Sequence, residues 1–236
     1  MKEITNPVEY SKTAVESYKS LYGEDLLAVI LYGSAAGGDF NPRKSDINLL
    51  VILSSMDLEL IAKSSDIQTR LLKQRFSIPL FMDKGYIANS LDSYPVEFLD
   101  MKGCYRVLYG EDVLDSISPQ KEHLRLQVER ELKGKWLHLL QEFPYARKNK
   151  KNLLELASLS LKAYAPFFRG LLMLKGEAVP VNRDELLKEI EAAYGISEKP
   201  FQKIAKSCIE KDVSELDARF VAYANAVKTI IGVIEN

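Results

Sequence analysis

The sequence is poor in the residues and segments that define several large classes of protein. Its 236 residues include two cysteines and two histidines, too few for a zinc framework or a disulfide-stabilised fold. No apolar run reaches the roughly 20 residues of a transmembrane helix, and the opening MKEITNPVEY lacks the apolar core of a signal peptide. A net charge of −1 gives no general attraction to nucleic acids or membranes. These absences predict a cytoplasmic protein with reduced thiols, no membrane partner and no strong nucleic-acid signal.

What the sequence does contain is a globular composition in two differently patterned halves. Hydrophobic residues make up 47% and charged residues 28%, which is typical of soluble domains. Before about residue 115, helices alternate with predicted strands at 26–32, 47–53, 77–82, 94–101 and 104–109. Beyond it we predict helices alone, including one at 152–176 that Pro166 should kink or split. The pattern predicts an α+β domain over residues 1–115 and an all-helical bundle domain over residues 116–236.

The stretch LYGSAAGGDFNPRKSDINLLVIL, residues 31–53, places polar side chains between two apolar strands. Gly33 and Ser34 end the first strand, and glycine lets backbone N–H groups approach an anion closely. Asp46 and Asn48 stand at i and i+2 in the second strand, so both side chains lie on one face. Side-chain oxygens at the start of a buried strand need a partner, and Mg²⁺ is a suitable one. A phosphate-binding turn beside a metal-binding strand is the minimal apparatus for phosphoryl or nucleotidyl transfer.

This combined pattern resembles the nucleotidyltransferase superfamily related to DNA polymerase beta, in particular its minimal and aminoglycoside-type members. The resemblance covers roughly residues 26–110. It implies a nucleotidyltransferase-like mixed sheet with flanking helices, an NTP as ligand, and Mg²⁺ or Mn²⁺ as cofactor. A helical second domain is also usual in the family. The implied acceptor is a hydroxyl on a small molecule or protein that the sequence does not identify, and the pattern is compatible with a homodimer.

The resemblance also implies roles for individual residues. Gly33 and Ser34 match the turn that contacts the nucleotide phosphates. Asp46 matches the first metal-binding carboxylate, and Asn48 stands where the family has the second. We expect Glu97, early in a later predicted strand, to be the third ligand, which makes Asp46 and Glu97 the catalytic carboxylates and Asp46, Asn48 and Glu97 the metal-binding set.

Some of these assignments leave alternatives open. Asp100 is the rival to Glu97 as third carboxylate, and Asp83 is a more distant candidate. The basic pair Arg43 and Lys44 either contacts the phosphates or is part of a solvated loop. In the helical half, three tyrosines are candidates to line a cleft between the domains: Tyr145, Tyr164 and Tyr223.

Asn48 departs from the family pattern and divides the functional hypotheses. A two-metal site needs carboxylate oxygens that bridge ions about 3.5–4 Å apart, whereas an amide offers one neutral oxygen and an NH₂ group that repels cations. The first hypothesis is an NTP-binding protein that transfers a nucleoside monophosphate to a hydroxyl. The alternative is a catalytically degenerate member that binds nucleotide or acts as a scaffold or antitoxin-like partner.

Overall fold

The first half of the chain folds around a four-stranded mixed sheet. A computed structural model describes residues 3–37 and 40–234, with strands in the order β3-β2-β1-β4. β1 pairs antiparallel with β2 and β4, whereas β2 and β3 are parallel. The strands are β1 (Leu26–Tyr32), β2 (Asn48–Leu53), β3 (Leu80–Met82) and β4 (Tyr105–Gly110). With its flanking helices and helical second half, this sheet confirms the predicted α+β fold class.

β1 and β2 occupy the centre of the sheet because they are apolar on both faces. Along β2, Leu49 and Val51 belong to the core of one face, and Leu50 and Ile52 belong to the core of the other. Burial of each such side chain contributes about 1.5–3 kcal/mol to stability. Packing against the two cores therefore stops at the first polar side chain of β2, and this end of the strand is available for a functional site.

Helix α1 (Pro7–Tyr22) begins and ends at capping residues that the sequence itself provides. The Oδ1 atom of Asn6 accepts a hydrogen bond from Glu9 N at 3.1 Å, and Pro7 occupies the first helical position. Gly23 follows with a positive φ of 53°. The helix packs its aromatic side against the first core. The other helices of this half are α2 (Leu58–Ala62), α3 (Ser65–Leu72), α4 (Lys84–Asn89) and α5 (Pro95–Gly103).

Helix α5 replaces a predicted strand, so that prediction was wrong. We expected a strand at 94–101 from the alternation of Val96 and Phe98. In the structure Pro95 starts a helix, a position that suits proline because its missing N–H needs no partner there. Pro95, Phe98 and Met101 are buried at a spacing of three residues, which is a helical period. The apolar residues of this segment fit both a strand and a helix, and Pro95 favours the helix.

The chain divides after Pro119 into two compact units. Within residues 120–234, the described part of the second unit, all elements are helices. No helix among the described residues of the whole chain is long and apolar enough to cross a membrane. The helices are α6 (Lys121–Ala146), α7 (Lys150–Lys175), α8 (Arg183–Ala193), α9 (Pro200–Glu210) and α10 (Leu216–Ile234).

Pro166 does not split α7, which runs as one helix from Lys150 to Lys175. Proline removes one backbone hydrogen bond from a helix interior and costs about 3 kcal/mol. Here the side chains that follow it, Phe167 and Phe168, are buried with Leu171. Packing of this apolar face offsets the missing bond, so tertiary contacts override the local preference.

Two of the three tyrosines expected in a cleft lie in the core of the helical unit. Tyr164 and Tyr223 are fully buried, with rings in edge contact at a centroid distance of 6.4 Å. The Tyr223 hydroxyl donates to Ser160 Oγ at 2.8 Å. The cleft assignment was therefore wrong for both, because their rings are part of an aromatic core. The third tyrosine, Tyr145, is exposed.

A cluster between α9 and α10 makes the stability of the helical unit depend on pH. Asp212 accepts hydrogen bonds from Ser214 N at 2.9 Å, Ser214 Oγ at 2.6 Å and Arg219 Nη1 at 2.6 Å. The Ser214 and Arg219 hydrogen bonds hold the pKa of Asp212 well below its usual range. A carboxyl with a depressed pKa in the folded state stabilises the fold above its unfolded pKa, and this contribution is lost as the pH falls through the folded value.

We therefore expect Asp212→Asn to lower the free energy of unfolding of the helical unit by a constant amount above about pH 5, with the difference shrinking below about pH 4. Trp136, the single tryptophan, lies in α6, so its fluorescence in urea titrations reports on this unit. The control is Asp66→Asn, which removes an exposed carboxylate in the first unit and should leave the Trp136 transition unchanged at every pH. A difference for Asp212→Asn that grows towards acid pH would contradict the prediction.

Candidate nucleotide-binding site

The Gly33–Ser34 turn lies directly beside the start of β2. In the register of the two strands, Tyr32 pairs with Asn48, and the chain turns immediately after Tyr32. Gly33 has a φ of +72°, and a Cβ atom at this position would lie 3.4 Å from Asn48 Nδ2. The Gly33 N–H donates to Cys104 O at 2.9 Å. Glycine is thus required here by its backbone conformation, and the turn is held against the end of β4.

Asn48 is the first residue of β2, and Asp46 lies just before the strand, so their shared face remains a prediction. Ile47 between them is fully buried in the core of the opposite face. Asp46 is exposed and Asn48 is half-buried. Among the described residues, Asp46 has no hydrogen-bond partner, and neither does the hydroxyl of Ser34. One carboxylate and one hydroxyl at this edge of the sheet are therefore available to a ligand.

Ser77 determines how the Asn48 amide is oriented. The Ser77 hydroxyl donates to Asn48 Oδ1 at 2.7 Å, and its distance to Ile47 O is 3.3 Å. Backbone hydrogen bonds from Ile47 N to Arg75 O and from Ser77 N to Ile47 O, both 2.9 Å, fix this segment beside β2. The amide oxygen consequently faces the β3 side of the sheet.

The loop that precedes β2 is fixed by hydrogen bonds at both ends. Within it, Asn41 Oδ1 accepts from Arg43 N at 2.9 Å and from Lys44 N at 3.1 Å, and Asn41 N donates to Ser45 Oγ at 2.9 Å. The Arg75 guanidinium donates to Pro42 O at 2.7 Å and also to Ser45 O. These hydrogen bonds hold residues 41–45 together just before Asp46.

Arg43 and Lys44 lie on the solvent side of this loop. Both side chains are exposed, and Arg43 Nε is 3.9 Å from Glu3 Oε1. At that distance and exposure the ion pair contributes little. The two cations are free to turn towards an anion at the neighbouring edge, and their role in phosphate binding remains a prediction.

The expected third carboxylate does not come from a strand. Glu97 lies in the first turn of α5 and is exposed, and Asp100 is half-buried further along the same helix. Asp83 caps α4, with its Oδ1 accepting from Tyr86 N at 2.6 Å. The sequences of β3 and β4, LFM and YRVLYG, contain no acidic residue. The strand position that suggested Glu97 therefore does not exist.

This donor set does not fit the two-metal centre that the family resemblance implies. No group of three or more His, Cys, Asp or Glu side chains in the described part of the chain is arranged to hold a metal ion. At the start of β2 one carboxylate, Asp46, stands beside an amide whose oxygen already accepts the Ser77 hydrogen bond. A pair of divalent ions needs several carboxylate ligands, including one that bridges them, and the start of β2 supplies Asp46 alone.

Asn48 and two tyrosines form a row of cross-strand neighbours on β2, β1 and β4. Tyr32 pairs with Asn48 on one side and with Tyr105 on the other. Burial raises the pKa of Tyr32. Burial, followed by the hydrogen bond to Asp112, raises the pKa of Tyr105 to about 12. Both phenols therefore stay protonated at neutral pH, and the row offers aromatic surface and hydroxyl groups rather than a base.

Ser77 and Arg75 are the two residues at this edge that the sequence pattern did not reveal. The signal for Ser77 was its place as first residue of the predicted strand 77–82, since parallel strands begin at the same edge of a sheet. Arg75 carried no such signal, because its contacts depend on the conformation of a distant loop and on its own positive φ of 66°.

The fold and the placement of this edge define a nucleotidyltransferase-like architecture. No protein-family model and no curated protein matches the chain. A similar solved structure is the spectinomycin adenyltransferase AAD(9) from Enterococcus faecialis with ATP and spectinomycin. The match has a TM-score of 0.55 at 11% sequence identity, and it covers 93% of this chain and 98% of the other. At this identity the similarity shows the fold.

The contacts of Arg75 predict that its replacement will loosen the loop. Arg75→Lys keeps the charge, but a single ammonium cannot reproduce the planar fork that reaches two carbonyls. We expect a loss of about 2–3 kcal/mol in the free energy of unfolding of the first unit, together with faster hydrogen exchange of the amides of residues 41–46. The control is Arg70→Lys, because Arg70 makes an exposed contact to Ser17 Oγ. Equal exchange in both variants would show that Arg75 does not hold the loop.

Proposed function

We propose that this protein binds a nucleoside triphosphate, with the phosphates at the Gly33–Ser34 turn and the start of β2. The observation that carries the proposal is the adjacency of the turn to Asn48, which pairs with Tyr32, at one edge of a nucleotidyltransferase-like sheet. The Ser34 hydroxyl has no partner within the described residues. Arg43 and Lys44 add positive charge on the adjoining loop. The similarity to a structure that contains ATP supports the nucleotide as ligand.

Binding is favoured over catalysis because the edge carries too little negative charge to hold catalytic metal ions. Nucleotidyl transfer depends on positioning and on neutralising charge at the phosphates. Asp46 is the one carboxylate at the start of β2, and it is able to meet a Mg²⁺ or Mn²⁺ ion carried by the triphosphate. A second, chain-held ion has no bridging ligand. The protein is accordingly proposed as a nucleotide-binding member with weak or no transferase activity.

Transfer of a nucleoside monophosphate is the second candidate. In that reaction a hydroxyl oxygen of the acceptor attacks the α-phosphorus, the bond to the bridging oxygen breaks, pyrophosphate leaves, and the hydroxyl proton passes to a base. The similarity of fold to an adenyltransferase over 93% of the chain favours this candidate. Asp46, the carboxylate at this edge, is the proposed base for that proton. The acceptor class remains a hydroxyl on a small molecule or protein.

The binding proposal predicts a specific effect at Ser34. Titration of each of the four NTPs by calorimetry should give saturable binding to the wild type. Ser34→Ala should weaken it about 5–10-fold, equivalent to roughly 1–1.4 kcal/mol, the size of one ordinary hydrogen bond. The control is Ser55→Ala, an exposed serine just beyond the opposite end of β2, which should bind like the wild type. Absence of saturable binding of any NTP would contradict the proposal.

Pyrophosphate release separates the two candidates. The measurement is a coupled pyrophosphate assay with pooled hydroxyl-bearing acceptors, in Mg²⁺ and in Mn²⁺. If the protein only binds nucleotide, its turnover should not exceed the background of an Asp46→Asn variant. Turnover that Asp46→Asn abolishes would instead establish the transferase.

A further inference from the structure

The Asn48 amide turns its nitrogen, and not its oxygen, towards the phosphate-binding turn. β2 lies between β3 and β1 in the sheet, so the two ends of the amide face different neighbours. Oδ1 accepts the 2.7 Å hydrogen bond from Ser77 on the β3 side. Nδ2 lies on the β1 side, 3.4 Å from where a Gly33 Cβ would be. No hydrogen-bond acceptor for Nδ2 occurs in the described part of the chain.

The Ser77 hydroxyl donates its one proton to Asn48 Oδ1, and this hydrogen bond holds the amide in the observed orientation. Its oxygen is closer to Asn48 Oδ1 than to Ile47 O, at 2.7 against 3.3 Å. The shorter contact is a well-formed O–H···O hydrogen bond, and the longer one lies beyond the usual range. Donation to the amide leaves both N–H groups of Asn48 directed away from Ser77, and a cation at the turn would meet these positive ends of the amide.

We propose that Asn48 Nδ2 donates a hydrogen bond to a phosphoryl oxygen at the Gly33–Ser34 turn, so that binding of the ligand does not require a divalent cation. The inference rests on the proposed nucleotide binding and specifies its mode. Asn48 is then a ligand-binding residue for an anion, and Ser77 is a positioning residue that fixes the amide. A carboxylate at this position would repel the same phosphate unless a metal ion stood between them.

The test compares ATP binding in EDTA and in Mg²⁺ for the wild type, Asn48→Asp and Asn48→Ala. The wild type should bind with dissociation constants within about threefold of each other in the two buffers. Asn48→Asp should lose at least about tenfold in EDTA, as expected for a like charge beside the phosphates, and should regain most of it with Mg²⁺. Asn48→Ala, which removes the donor without adding charge, should be weaker than the wild type in both buffers.

Ser77 variants separate the positioning role from a general loss of structure. Ser77→Ala should weaken binding in EDTA several-fold, about the effect of losing one hydrogen bond, and Ser77→Thr should restore it because the hydroxyl is kept. Asn89→Asp, at the exposed end of α4, introduces the same charge away from the turn and should bind like the wild type in both buffers. Thermal melts of each variant check that the first unit is folded.

Two outcomes overturn the inference while leaving nucleotide binding intact. One is a wild type that binds ATP at least about tenfold more tightly with Mg²⁺ than in EDTA, a difference of about 1.4 kcal/mol. The other is an Asn48→Asp variant that binds as well as the wild type in EDTA. A wild type that binds ATP in neither buffer overturns the proposed function and, with it, this inference.

Discussion

The antiparallel pairing of β1 with β2 sets the geometry of the candidate site. Both strands are buried on both faces, so their register is fixed by two cores at once. That register places Tyr32 opposite Asn48, and the turn at Gly33 follows from it. A shift of one residue would bury Asn48 and expose Leu49. The hydrophobic cores therefore hold the polar edge in position, although none of its polar contacts is strong enough to do so alone.

The central position of β2 explains why an amide differs from a carboxylate at position 48. A carboxylate presents oxygen to both neighbouring strands, so its function does not depend on which way it is turned. An amide presents oxygen to one neighbour and N–H groups to the other. The hydroxyl of Ser77 resolves this choice. A substitution that looks like the loss of one charge is thus also a change from acceptor to donor at the turn.

The sequence revealed the fold class and the central strands because their signals are local. β1 was predicted at its observed limits, and the helix after Asn6-Pro7 carries its capping residues in the sequence. The predicted shared face of Asp46 and Asn48 rests on the period of a strand, but β2 begins only at Asn48. The strand at 94–101 was wrong because its apolar spacing suits two structures. The orientation of the Asn48 amide was beyond prediction, since Ser77 reaches it only through the parallel pairing of segments 29 residues apart.

Arg75 joins the loop before β2 to the segment that leads into β3, and this has a thermodynamic consequence. Its guanidinium binds carbonyl groups of Pro42 and Ser45, while its own backbone O accepts from Ile47 N. The loop and the edge of the sheet consequently become ordered together. A ligand that contacted this loop would therefore meet a surface that folding has already ordered, and its binding would lose little further conformational entropy.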